Sequence, residues 1–182
     1  MNRGSLKRPN FYAGMMFTED DLREEQQYHI AKRNLLNRCL YGCRIACGLE
    51  VRLCDDVIHI EPGMALDCCG REIYVPEPTK VEIPPLDESS YLLLQHKEKQ
   101  SNPVPVPSAA GHDDELQYTR TIESFQLVWG SDNPIAQHER RDTYWICCEQ
   151  DHPIPLARII VTRDGLMMDD KFATTIQGCE SS

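Results

Sequence analysis

Cysteine is the residue type whose number and spacing could do chemistry in this chain: nine occur in 182 residues. Cys68-Cys69 and Cys147-Cys148 are adjacent pairs, and Cys39, Cys43 and Cys47 stand four apart. Thiolates and imidazoles gather tetrahedrally around zinc, so Cys47, Cys68 and Cys69, with Cys147 or Cys148 and His152, form a candidate metal group. No CxxC knuckle supports it. Neighbouring side chains of a strand point to opposite faces, so only one of Cys147 and Cys148 can face a common site unless the backbone bulges. Against the metal reading stands a plainer one, small polarizable thiols packed in a core. A third, redox use, requires an exposed thiol of lowered pKa. The odd count without a secretory leader makes a disulfide framework the weaker expectation, and reduced thiols in a cytoplasmic protein the better one. Cys68 and Cys69 are expected beneath a turn at Gly70, the second more exposed than the first.

Other reactive constellations are missing from the sequence. The six histidines share no HExxH or comparable spacing, and "GHDDE" lacks the glycine and ligand positions of an EF-hand loop. There is no GxSxG elbow, phosphate-binding glycine loop or dinucleotide fingerprint. Asp67 and Glu72 bracket the double-cysteine turn, where carboxylates usually serve solvation. The sequence therefore has no visible catalytic centre and implies no cofactor, zinc excepted.

A formal charge of -10 repels a phosphate backbone, which argues against nucleic acid. No stretch approaches the roughly 20 apolar residues of a membrane span, and the basic start "MNRGSLKRPNFYAGMMF" lacks the apolar run of a signal peptide. With 41% apolar and 26% charged residues the chain has the composition of one folding unit with its own core.

"FTEDDLREEQQYHIAKRNLLNRCLYGC" predicts a helix starting near Glu19. Thr18 and Asp21 form an acidic capping box, and Glu19 and Asp20 complement the dipole. Tyr28, Ala31, Leu35 and Cys39, flanked by Leu36, Leu40 and Cys43, place the buried face in its second half; Gly42 and Gly48 are candidate stops. The period then changes to two. "GLEVRLCDDVIHIEPG" reads as a hairpin turning at Asp55-Asp56, "MALDCCGREIYV" as a second turning at Gly70, and "TKVEI" as a further strand. "YLLLQHKEK", "SFQLVWG" and "TYWICCEQ" read as strands, and "PLARIIVTRDGLMMDD" as a strand with a short return. Pro103, Pro105 and Pro107 at alternate positions predict an extended, irregular arm within a long loop near residues 98–118. The expected class is α+β, mainly β: residues 1–48 supply an arm and an amphipathic helix, and 49–182 an antiparallel module forming a small sheet, sandwich or partly open barrel.

"RPNFYAGMMFTEDDLREEQQYHIAKRNLLNRCLYGCRIACGLEV" resembles the opening of a poorly characterised bacterial family found among phage-tail-like and contractile injection system components. "IHIEPGMALDCCGREIYVP" is similar to the Pro-Gly-x-Ala-x-Asp hairpin of that family and of many tail-fibre and baseplate proteins, carried here by Pro62, Gly63, Ala65, Asp67 and Gly70. "IPLARIIVTRDG" looks like the strand that closes such modules. The resemblance implies a non-catalytic structural or adaptor subunit of a tail or baseplate assembly, bound to protein partners and present in several copies as a homo-oligomer. Leu22, Glu24, Glu25, Gln26 and Gln27 on the helix, and Pro103, Val104, Pro105, Val106 and Pro107 on the arm, are the expected contact surfaces. A cysteine-based metal-binding protein, with or without enzymatic activity, is the alternative.

Overall fold

The computed structural model describes residues 6–54, 56–106, 115–135, 152–163 and 165–169. It is α+β and mainly β, one helix against antiparallel strands that curl into a half-barrel. Helix α1 spans Glu19–Leu40; Thr18 accepts from the Asp21 amide, and the Asp21 carboxylate accepts from the Thr18 amide at 2.9 Å. This reciprocal box satisfies donors that the first turn leaves without helical partners. At the other end Gly42 takes φ +66 and donates its amide to the Asn37 carbonyl, which stops the helix there. Residues 44–48 then form a strand, so Cys39, Cys43 and Cys47 do not share one helical side as a continued helix would have required.

Three sheets form among the described residues. The first joins β1 (Arg44–Gly48), β4 (Gly63–Leu66) and β5 (Glu72–Val75) in the order β1-β4-β5. The second has β3 (Val57–Ile60) between β2 (Val51–Cys54) and β6 (Thr79–Glu82). The third runs β10-β9-β7-β8, with β7 (Ser90–Val106), β8 (Glu115–Gly130), β9 (Ile154–Thr162) and β10 (Gly165–Met168). The expected hairpins β2–β3, β4–β5 and β9–β10 are all present. "TYWICCEQ" lies outside the described residues.

Ile45, Ile58, Ile60, Ile73, Val75, Leu92, Leu94, Ile154 and Ile159, drawn from all three sheets, pack into one core. The chain passes from the first sheet to the second through Gly48 and Leu49, both with φ near +60. A left-handed leucine is strained by about 1–3 kcal/mol. Its side chain is buried in the core, which offsets a cost of that size. Gly48 and Gly63 press backbone on backbone here: a Cβ on Gly63 would stand 2.4 Å from the Cys47 carbonyl oxygen.

Two expectations are corrected. The proline stretch is not a loop from its start: β7 continues through Pro103 and Pro105, paired with Tyr118 and Leu116 of β8. Residues at alternate positions direct their backbone nitrogens to the same edge of a strand, so these prolines can share an edge away from the ladder. That edge is available because β9 pairs with β7 only as far as Leu94. The helix, in turn, buries Asn34 and Asn37, while Leu36, Leu40 and Cys39 are exposed. It docks on a polar turn, whose backbone groups require amide partners, and its leucine row faces outward.

Candidate protein-docking surface

The turn that joins β4 to β5 organises one end of the molecule. Asp67 is buried, and its carboxylate accepts from the amides of Cys69 and Arg71 at 2.9 and 2.8 Å and from Arg71 Nε at 2.5 Å. Burying a carboxylate is tolerable only with such partners. Gly70 adopts φ +81 and lies so close to α1 that a Cβ would be 2.1 Å from the Asn34 carbonyl oxygen. Asn37 Nδ2 donates to the Gly70 carbonyl at 2.9 Å and to Glu72 Oε1 at 3.2 Å.

Of the expected metal group, the structure brings Cys68 and His152 together, with Sγ 3.6 Å from Nδ1. Cys69 is disulfide-bonded and cannot serve as a thiolate ligand in that state. Cys47 sits opposite Met64 on β1, toward the Gly63 end of the β1–β4 ladder, whereas Cys68 follows the Leu66 end. Cys147 and Cys148 lie outside the described residues. Among the described residues no group of three or more His, Cys, Asp and Glu is placed to hold a metal ion. The expected exposures are reversed, Cys69 being buried and Cys68 half-buried, because the Asp67 carboxylate draws the Cys69 amide inward. The expectation that the cysteines are reduced is also corrected at Cys69.

The expected contact residues occupy two separate surfaces. On α1, Leu22, Glu24, Gln26 and Gln27 are exposed, while Glu25 is half-buried beside His29, Oε1 to Nε2 2.9 Å. On β7, Pro103, Val104, Pro105 and Val106 are exposed; Pro107 lies outside the described residues. The two-stranded ribbon that carries them is exposed at Lys97, Glu98, Lys99 and Gln100, from Asn102 to Val106, and continuously from Leu116 to Ser124. Residues directly opposed in a ladder share a face. Pro103 with Tyr118 and Pro105 with Leu116 therefore lay an apolar stripe along one side of the arm, and Ile122 lies on the same side beyond the Ser101–Arg120 pair. Midway, Asn102 takes φ +55 and its Nδ2 donates to Thr119 Oγ1 at 2.7 Å, a side-chain bond that anchors the local departure from strand geometry.

Leu116, Tyr118 and Ile122 were not singled out from the sequence. Their signal was present in the alternation of "ELQYTRTI", masked by reading the prolines as a loop. Where the arm leaves the body, Met64, Glu72, Tyr74, Pro76, Glu123 and Phe125 border a cavity of about 500 Å³. Arg33 of α1 lies 3.6 Å from Glu72 and 3.9 Å from Glu123, a loose, exposed pairing. No helix of the described residues is long and apolar enough to cross a membrane.

These features define a class: a helix clasped to a half-barrel, with a projecting two-stranded arm. No protein-family model matches the chain, and no curated protein matches it. Among solved structures it is similar to a chain of the type VI secretion system TssK-TssF-TssG baseplate subcomplex, with a TM-score of 0.50 at 11% identity over 91% of this chain and 60% of that one. A crystal structure of TssK gives a TM-score of 0.48 at 11% identity, covering 91% of this chain and 41% of that one. At such identity the likeness is one of fold, and this chain spans less than two thirds of either neighbour.

Proposed function

We propose that this chain is a non-catalytic structural subunit of a phage-tail-like or contractile injection particle, attached at the baseplate or tail fibre through protein contacts and present in several copies. The observation that carries this reading is the β7–β8 arm, which leaves the body with both faces exposed and an apolar stripe of Pro103, Pro105, Leu116, Tyr118 and Ile122. A lone ribbon of this kind is marginally stable in water and gains from a partner. The exposed Leu22 and its polar neighbours at the start of α1 offer a second contact. The fold likeness to a chain of a type VI secretion baseplate subcomplex supports the same reading. It is tested by co-expressing the chain with sheath, tube and baseplate proteins of its source and purifying the complex. Recovery of a defined complex that Tyr118→Lys and Leu116→Lys abolish is the expected result; a chain that passes through with none of them overturns the proposal.

A second reading, zinc binding, draws on the Cys68–His152 contact. Among the described residues no group of three or more such ligands is placed to hold a metal, so this reading ranks below the first. Metal analysis of protein purified without chelator tests it: less than about a tenth of an equivalent of zinc ends it.

A further inference from the structure

The two long edges of the arm are treated differently. Beyond Leu94 the outer edge of β7 has no strand beside it among the described residues, and Pro103 and Pro105 remove backbone donors there. Prolines at an edge are a standard protection against unwanted strand pairing. The outer edge of β8 is the end of its sheet among the described residues, and it contains no proline from Glu115 to Gly130. Among the described residues, then, one edge is closed to pairing and the other is left open.

We infer that two copies of this chain pair edge to edge through β8, their arms forming one four-stranded antiparallel ribbon about a two-fold axis at Thr119. This deepens the proposal that the arm is a contact element, and rests on it. The choice of a second copy as the occupant comes from self-complementarity. The backbone groups that face outward along a strand belong to alternate residues, so a two-fold pairing centres on a residue and not between two. Centred on Thr119, the ladder runs from Glu115 to Glu123 and sets Leu116 opposite Ile122 twice and Tyr118 opposite Arg120 twice. The first is an apolar pair and the second places a guanidinium beside an aromatic ring; both are favourable cross-strand combinations.

Three neighbouring registers are worse. Centring on Arg120 opposes two guanidinium groups, and centring on Tyr118 sets Leu116 against Arg120. Centring on Thr121 sets Ile122 against Arg120 and leaves Tyr118 facing Ser124. The like-charge pair in the favoured register, Glu115 with Glu123, falls at the two ends, where Glu123 already lies 3.9 Å from Arg33 of its own helix. On the favoured face, Pro103 and Pro105 of each copy extend the apolar stripe across all four strands. On the other face Thr119 meets Thr119 and Gln117 meets Thr121, a polar surface that leaves the ribbon wetted on one side.

Edge pairing over so short a ladder buries less than a standard protein interface, so the dimer is expected to be weak and concentration-dependent. Sedimentation equilibrium of the full chain at up to roughly 100 µM, where micromolar affinities register, is the primary measurement. The expected result is a monomer–dimer equilibrium that Ile122→Lys weakens at least about tenfold, a loss near 1.4 kcal/mol, with the thermal unfolding of the monomer unchanged. In parallel, Thr119→Cys treated with a short bismaleimide should give a 119–119 cross-link identified by peptide mapping, absent when Gln100→Cys is used instead. A chain that stays monomeric at that concentration overturns the inference. So does a dimer that ignores Ile122→Lys and yields no 119–119 cross-link. A monomer that still enters a tail complex through Tyr118 sinks self-pairing and leaves the proposed function standing; a dimer that binds no tail protein does the reverse.

Discussion

Asn37 donates its side-chain amide to the carbonyl of Gly70 at 2.9 Å, joining α1 to a turn 33 residues away in the chain. Two buried asparagines and a left-handed glycine thus do at this junction what a leucine stripe does in most helix–sheet contacts. Asn37→Ala leaves the Gly70 carbonyl without that donor and should cost about 1–3 kcal/mol in urea unfolding. Gly70→Ala adds a Cβ 2.1 Å from the Asn34 carbonyl oxygen and a strained φ, and should cost more than about 3 kcal/mol. Gly14→Ala is the control: its φ is also positive, at +88, but nothing lies within 4 Å, so only the conformational cost of about 1–2 kcal/mol remains.

Asp67 holds the same turn from inside. Asp67→Ala strips partners from two amides and from Arg71 Nε together, so a loss of about 3–5 kcal/mol is expected. Asp67→Asn keeps an acceptor oxygen and should recover part of it. An Asp67→Asn protein as stable as the unsubstituted chain in chemical denaturation would mean that the carboxylate's charge contributes nothing to the turn.

The capping box makes α1 sensitive to acid. Hydrogen bonds from the Thr18 side chain and then the Thr18 amide hold the Asp21 carboxyl below the ordinary carboxylate range. A depressed folded pKa means that the box stabilises the helix above the unfolded carboxylate value, about 3.9, and that this support disappears as pH falls through the lower folded value. Carboxyl titration by NMR should place the Asp21 midpoint below the ordinary aspartate range, and Thr18→Ala should raise it. A Thr18→Ala protein with an unmoved Asp21 midpoint would contradict the assignment.

Substitutions on the arm should separate stability from assembly. Leu116, Tyr118 and Ile122 are exposed, so replacing each by lysine is expected to change unfolding free energy by no more than about 0.5 kcal/mol. Binding to partner chains should nevertheless fall. A large destabilisation by any one of them would show that the stripe is packed in the isolated chain and is not a free surface.

Thiol labelling under native conditions should divide the cysteines by environment. Cys39, Cys47 and Cys54 are exposed thiols and should react with iodoacetamide first. Cys69, buried and disulfide-bonded, should label only after reduction and unfolding. Mass mapping that finds Cys69 alkylated in untreated native protein would overturn the burial and the disulfide together.

Local signals were legible wherever the interaction that decides a conformation lies within a few residues. The Thr18–Asp21 box, the stop at Gly42, the turn at Gly70 and the period-two strands around them all belong to that kind. The packing face of α1 was not legible, because Leu36 and Leu40 carry an amphipathic pattern whether they meet a core or a solvent-facing surface. The arm was misread because alternate prolines say that a backbone edge lacks donors, without saying whether the opposite edge is paired. The cysteines were legible as a cluster of types but not of positions: Cys68 meets His152 across 84 residues, and Cys47 falls at the far end of its ladder.

Composition and short-range pattern therefore settled the helix, the short hairpins, the fold class and the acidic, core-forming character of this chain, since backbone sterics, capping and side-chain alternation act between near neighbours. Which helix face docks, which strand edge stays open and which thiol meets which imidazole depended on contacts between distant segments. Those contacts are chosen by the closing of the half-barrel around its shared core, where hydrophobic burial has no directional preference of its own and backbone hydrogen-bond satisfaction selects among the arrangements that bury it.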